Sequence, residues 1–126
     1  MIHFSLCATL LIAASTQAAT WTVDDDSKAD FQTIQAAVDA AADGDEIIVF
    51  PGTYTSTGDQ VVSLVEKSIL LHSNLGAAVT FIDGQNQRRG FLFQGDGTDQ
   101  TQITGFTIRN CQAPWYDWNG NGNADY

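Results

Sequence analysis

The chain has 126 residues, with 5 Lys+Arg against 15 Asp+Glu and a formal net charge of −10. So few cations among so many carboxylates exclude a phosphate-neutralising nucleic-acid binder, and an anionic membrane surface repels such a chain. A hydrophobic content of 44 %, with seven Phe, three Trp and three Tyr, suits a folded core and is too apolar for a disordered acidic tail.

Residues 1–18 contain no Asp, Glu, Lys or Arg, and 4–14 form a largely apolar run too short to span a bilayer. Thr16-Gln17-Ala18 places small residues at the positions a signal peptidase reads. Residues 1–18 are therefore expected to be a signal peptide cut before Ala19, and the mature protein to be secreted or held at the cell surface. Cys7 leaves with the signal, Cys111 is the only cysteine left, and no internal disulfide framework is expected.

Residues 21–23 read as a short strand. Asp24-Asp25-Asp26-Ser27-Lys28 reads as a solvated turn, with a cation site as the alternative. Phe31, Ile34, Val38 and Ala41 recur at helical spacing, Asp30 offers an N-cap and Asp43-Gly44 a stop, which predicts one amphipathic helix over 31–42. Its alanines allow close approach to whatever it covers, while Gln32, Gln35 and Asp39 are expected to face water, as in a lid. Beyond Asp45 the pattern changes to short β-rich runs at 47–50, 61–65, 68–73, 79–83, 91–94 and 102–109. Turn chemistry separates them at Pro51-Gly52-Thr53-Tyr54, Ser73-Asn74-Leu75-Gly76, Asp83-Gly84-Gln85-Asn86 and Gly95-Asp96-Gly97.

Ile47, Ile69 and Phe91 each open an apolar triplet, 22 residues apart, as one rung of a coiling sheet would. A competing register sets Ile69-Leu70-Leu71 beside Ile103-Thr104-Gly105-Phe106 in a larger coil. Both describe a solenoid. An antiparallel sandwich would need tight hairpin loops, which are scarce here.

Two stretches carry a resemblance: Asp30-Phe31-Gln32-Thr33-Ile34-Gln35-Ala36-Ala37-Val38-Asp39-Ala40-Ala41, then Gly44-Asp45-Glu46-Ile47-Ile48-Val49-Phe50-Pro51-Gly52-Thr53-Tyr54. Together they resemble the opening of a pectin-lyase-like right-handed parallel β-helix protein. Val79-Thr80-Phe81-Ile82-Asp83-Gly84 and Ile103-Thr104-Gly105-Phe106-Thr107-Ile108-Arg109-Asn110 resemble later coils of the same superfamily. The resemblance implies an all-β fold over residues 19–112, a right-handed parallel β-helix (solenoid) whose first coil is capped by one amphipathic α-helix. It implies little about activity, because hydrolases, lyases, esterases, epimerases and adhesins share that scaffold. The nearest enzyme subgroup is the pectinesterases, yet Ser56 stands where they usually carry an acid, Phe50 is unusually apolar before Pro51-Gly52, and no aspartate accompanies Thr107, Ile108, Arg109 and Asn110. No catalytic residue carries over. Asn74, Asn86 and Asn110 are expected at left-handed turn positions or in a ladder along the stack, and Gly105 beside an inward Phe106 relieves crowding.

Among candidate groups, Asp83 is the leading acid, and Asp59 or Asp96 would complete a hydrolytic pair only if the coils align them. Its plainer role is a turn aspartate bonding its own backbone. Arg88-Arg89 offer guanidinium forks to a uronate carboxylate, or form a solvated pair. His72, the only mature histidine, sits in a predicted strand, so no Ser-His-Asp set is available. Asp117, Asn119, Asn121 and Asp125, with Gly122 between and the Asn123 carbonyl, resemble an EF-hand or dockerin-type calcium loop. Its position-12 acid would fall beyond Tyr126. Trp115, Tyr116 and Trp118 beside it either stack on sugar rings or bury against the last coil.

Calcium is thus the one cofactor the sequence suggests, and extracellular polysaccharide the partner, with neither nucleic acid nor a membrane span expected. The far end shows no recognisable cap. The chain accordingly reads as a non-catalytic N-terminal piece of an exported β-helix protein whose full form binds or processes acidic polysaccharide or serves as a surface adhesin. The alternatives are a pectinesterase or polysaccharide-lyase relative with its active site in missing coils, and a calcium-dependent cell-surface module.

Overall fold

The computed structural model describes residues 17–96 and 98–113. The elements in chain order are β1 (Thr20–Val23), α1 (Ile34–Ala40), β2 (Glu46–Val49), β3 (Gly52–Tyr54), β4 (Gln60–Val65), β5 (Leu70–Ser73), β6 (Thr80–Asp83), β7 (Arg89–Gln94), β8 (Gln102–Thr104) and β9 (Thr107–Arg109). They wind into a β-solenoid of about three turns with three flat sides. One side is the sheet β1-β2-β5-β8, the second β3-β6-β9 and the third β4-β7, and every pairing is parallel.

Register selects the larger coil. Trp21 lies beside Ile47, Ile47 beside Leu71 and Leu71 beside Ile103, so successive rungs advance by 26, 24 and 32 residues. The 22-residue spacing of Ile47, Ile69 and Phe91 is a coincidence of composition, since Phe91 belongs to the third side, beside Val62. Within the larger coil the partner of Ile103 is Leu71, two residues from the Ile69 alignment. Turns of unequal length make the repeat irregular, and a spacing count cannot recover it.

Each coil buries alternate residues. In β2, Ile47 and Val49 are buried while Glu46 and Ile48 are partly exposed; in β6, Thr80 and Ile82 are buried while Phe81 and Asp83 look outward. Parallel pairing places like-facing residues one above another, so the interior is a set of columns. Val23, Val49, Leu71, Ile82, Val62 and Leu64 form its dry centre.

Several expectations change. The helix covers Ile34–Ala40 rather than 31–42, and its N-cap is Thr33, whose hydroxyl accepts from Ala36 N at 3.2 Å. Asp30 instead accepts from both the backbone N and the hydroxyl of Thr22 at 2.9 Å, while Phe31 is bridged to Val23, so this stretch is extended and laced to β1. Gly52–Tyr54, expected within a turn, is a strand, and the predicted run 102–109 breaks into β8 and β9 at Gly105. Gly105 has φ +83°, and the Ser73 hydroxyl fills the space a Cβ there would need. Phe106 then packs edge-on to Phe91 against the core.

The first rung is closed by three polar side chains. Asp45, buried, accepts from Ala19 N at 2.8 Å, Ala42 N at 2.9 Å and the Trp21 indole at 3.0 Å. Lys67 caps the helix C-terminus, donating to the carbonyls of Val38, Asp39 and Ala41. Gln35, expected in water, turns its amide onto the edge of β4, accepting from Ser63 N at 2.7 Å and donating to Ser63 O at 3.2 Å. An exposed strand edge invites pairing with other chains, and this glutamine occupies it as a neighbouring strand would. A helix of seven residues has little stability alone, so these tethers hold it on the stack.

The backbone amides of Ala42 and Ala19, then the Trp21 indole, hold the Asp45 carboxyl below the usual aspartate range. A depressed folded value means that the stabilisation is complete above the ordinary unfolded value near ~4 and is lost as pH falls through the folded one. Asp45→Ala, which strands three donors, is expected to cost about 3 kcal/mol in urea unfolding at neutral pH. The gap between variant and parent should close as the pH is lowered below ~4.

Candidate functional site

The outward face of the β3-β6-β9 side brings together a cation, a carboxylate, an amide and an aromatic ring. Parallel register sets Phe81 beside Thr107 and Asp83 beside Arg109. Strand alternation turns Phe81 and Asp83 outward, because Thr80 and Ile82 fill the core. Arg109 Nε donates to Asp83 Oδ2 at 3.0 Å, and its guanidinium lies over the Phe81 ring, 4.2 Å from the centroid. Asn110, left-handed at φ 50°, donates its amide to both Asp83 oxygens at 3.3 Å. The result is a planar cation on an aromatic ring, flanked by a carboxylate and an amide, on a flat sheet.

Asp83 itself is anchored. Its Oδ1 accepts from Gln85 N at 2.8 Å, the turn role that its place before Gly84 suggests. The Gln85 amide lowers its carboxyl below the ordinary value; burial, next in size, opposes this, and the hydrogen bonds from Arg109 and Asn110 add to the lowering. A general acid needs the opposite shift. Asp96, proposed as a second acid, is likewise held low, by the hydroxyl and then the backbone N–H of Thr98. Neither Asp96 nor Asp59 is among the groups bonded to Asp83.

Arg88 is neither a uronate fork nor a solvated pair with Arg89. It is buried, and its guanidinium donates to the carbonyls of Gly58 and Gly84, the Thr55 hydroxyl and the side-chain oxygens of Gln85 and Gln87. It ties the corner turns of two coils together. Sequence alone offered one signal for this role, the position of Arg88 just before a strand at a coil corner. What it replaces with its five donors could not be read without the turns in place.

His72 is half-buried on the β1-β2-β5-β8 face and its Nε2 meets Glu46 Oε1 at 2.6 Å, diagonally across two strands. This pair went unpredicted because its partner lies 26 residues away in sequence. In the aspartate run, Asp24 accepts from Asp26 N, Asp26 accepts from Lys28 N, and the Asp25 carboxylate lies over Gly52, where any Cβ would collide with it. The run is a structured charged turn, and among the described residues no three His, Cys, Asp or Glu side chains gather as a metal set. Asn86 and Asn110 are left-handed, as expected of turn asparagines, whereas the Asn110 side chain goes to Asp83 rather than into an asparagine ladder. Cys111 is an exposed free thiol.

Two pockets flank the solenoid. One of about 280 Å³ separates the start of α1 from the β3–β4 loop and is lined by hydroxyls of Thr33, Thr55, Ser56 and Thr57 around Ile34 and Tyr54. The other, about 290 Å³, lies beside Leu64, Lys67 and Phe93 at the acidic corner of Asp99. There burial, then the charges of Asp96, Asp43 and Glu66, push the Asp99 carboxyl up. Asp117, Asn119, Asn121, Asn123 and Asp125 of the calcium-type pattern, and Trp115, Tyr116 and Trp118, lie outside the described residues.

No protein-family model matches the chain, and neither does any curated protein. Among the described residues no helix is long and apolar enough to cross a membrane.

Substitution separates the two arginines. Arg88→Ala strands the carbonyl of Gly58, whereas that of Gly84 keeps the backbone amides of Gln87 and Arg88, and is expected to cost about 2 kcal/mol in chemical unfolding. Arg109→Ala removes only an exposed ion pair and a ring contact, so its midpoint should stay close to that of the parent.

Proposed function

We propose that these coils form the helix-capped scaffold at the start of an exported, right-handed parallel β-helix protein of the pectin-lyase-like kind, which binds or processes acidic polysaccharide. The observation that carries this reading is the parallel solenoid with its small-residue helix over the first rung, the arrangement the resembling sequence stretches imply. The coils hold the ligand or the shape of the protein rather than the chemistry. Asp45 and Asp83 are tied to backbone amides, and Arg88 and Lys67 to carbonyls, which supports a scaffold role for the groups best suited to acid–base work.

The outward face of the β3-β6-β9 side supplies a contact for a uronate chain. Arg109, seated over the Phe81 ring, offers the outer edge of its guanidinium to the uronate carboxylate. Net charge works against such a ligand at long range, since a polyanion approaches a chain of −10. Calcium relieves that repulsion by bridging carboxylates, consistent with the oxygen-rich pattern of residues 117–125.

Affinity electrophoresis in gels containing polygalacturonate, with and without millimolar calcium, tests the reading. Retardation that calcium strengthens and Arg109→Ala weakens is the expected result. Free migration in polygalacturonate under both conditions, with retardation only in a neutral glucan gel, would overturn the acidic-polysaccharide assignment.

A further inference from the structure

The pocket of about 280 Å³ between the start of α1 and the β3–β4 loop shares no lining residue with the Phe81–Arg109 face. In a chain of net charge −10, neither a carboxylate nor a cation is among the described residues that line it. The Tyr54 phenol in its wall stays neutral, because burial, then the charges of Asp25 and Asp24, push it up, and its hydroxyl donates to Phe50 O at 2.7 Å. Arg88, behind Thr55, is already committed to carbonyls at the coil corner. An anion entering this space gives up its water without meeting a cation, and an ammonium gives up its water without meeting a carboxylate. The walls therefore suit an uncharged ligand.

Their polar groups form a mixed set. The Thr33 hydroxyl accepts from Ala36 N at 3.2 Å and that of Thr55 from Arg88 Nη1 at 3.3 Å, which leaves both O–H groups to donate. Ser56 does the reverse, giving its O–H to Gln60 O at 2.5 Å and leaving its oxygen to accept. Ile34 and Val61 supply the apolar part of the wall. A molecule that donates and accepts around its rim and is apolar on its faces matches this arrangement, and a pyranose ring is such a molecule. The volume falls just under the ~300–1,000 Å³ usual for small-molecule sites, which leaves room for one ring rather than a chain.

Both walls are fixed before any ligand arrives. Gln35 ties the helix to Ser63 with hydrogen bonds of 2.7 and 3.2 Å, and Arg88 clamps the facing loop at Thr55 and Gly58. Preformed walls spare a ligand the cost of ordering them. We propose that this pocket is a binding site for a single neutral hexopyranose ring, held by the hydroxyls of Thr33, Thr55 and Ser56 against Ile34 and Val61. The site uses none of the residues assigned to the uronate contact, so it stands whether or not that contact exists.

Amide NMR titration of the full chain tests this, with methyl β-D-galactopyranoside, methyl β-D-glucopyranoside and sodium galacturonate as probes. At least one methyl glycoside is expected to shift the amides of Ile34, Ser56 and Thr57 saturably, with half-saturation on the order of 1–10 mM for a ligand of this size. Galacturonate should bind there at least about tenfold more weakly, having no cation to meet. Thr57→Trp, at an exposed rim position, should abolish the shift at Ile34 while the Leu71 amide stays in place, and Arg109→Ala should leave the titration unchanged. The absence of a saturable shift with either glycoside up to about 50 mM would overturn the proposal. So would galacturonate binding as tightly as the glycosides, shifts confined to the Phe81–Arg109 face, or an undiminished response in a folded Thr57→Trp. The comparison of neutral glycosides with galacturonate needs no variant, so it decides even if Thr57→Trp fails to fold.

Discussion

A single carboxylate withdrawn from water, that of Asp45, ties the start of the chain's first strand to the loop that leads from the helix into the second. It takes a hydrogen bond from the N-terminal strand at Ala19, one from the Trp21 ring, and one from the loop leaving the helix at Ala42. Its own carbonyl accepts from Leu70 N, which passes the alignment on to the next rung. A buried carboxylate deprived of these donors would be too costly to keep, so their presence fixes where the first strand, the helix and the second strand meet. In a solenoid each rung is laid on the one before. The placement of the first rung therefore governs the columns that follow.

The same economy runs through the rest of the molecule. An acidic chain with few cations places Arg88 at a corner among carbonyls and Lys67 at the end of a short helix, where both satisfy backbone oxygens instead of facing solvent carboxylates. Buried cations without acidic partners are tolerable only when hydrogen bonds replace their water, and Arg88 finds several oxygens in fixed turns. The carboxylates left outside give the surface its negative field. At the corner holding Asp43, Glu66, Asp96 and Asp99 that field is strong enough to oppose ionisation of Asp99, although burial is the larger influence there. On the outward β3-β6-β9 face the cation is Arg109, seated on Phe81 and paired with Asp83.

Much of the architecture was legible before any coordinates. Short β-rich runs without hairpin turns announced a solenoid, and helical spacing at Ile34 and Val38 announced its lid, because alternation and helical periodicity are local consequences of backbone geometry. Gly105 with Phe106 was readable for the same reason: a glycine where a side chain would collide leaves a mark in the sequence. The cap residue was misassigned to Asp30 because both Asp30 and Thr33 satisfy the local rule, and the competition was decided by Thr22, a neighbour only in space. Gln35 looked like a solvent residue by its helical face, yet the edge of β4 claims it.

The candidate site was less legible than the fold. Asp83 reads from the sequence as the leading hydrolytic acid or, more plainly, as a turn aspartate, and the turn role is the one present, since an aspartate before glycine bonds its own backbone. Its partners Arg109 and Asn110 were not foreseen, and Arg88 and Arg89 were weighed instead, because adjacency in sequence is a poor guide to adjacency across coils. The sequence by itself determined most of the element types, the solenoid class, the single helix ahead of the coils and the acidic composition, all of which follow from composition and from interactions within a few residues. Only the tertiary structure decided the register, the burial of Arg88 and the meeting of Phe81, Asp83 and Arg109. Those depend on the lengths of intervening turns, which set what lies above what, and no local preference encodes that sum.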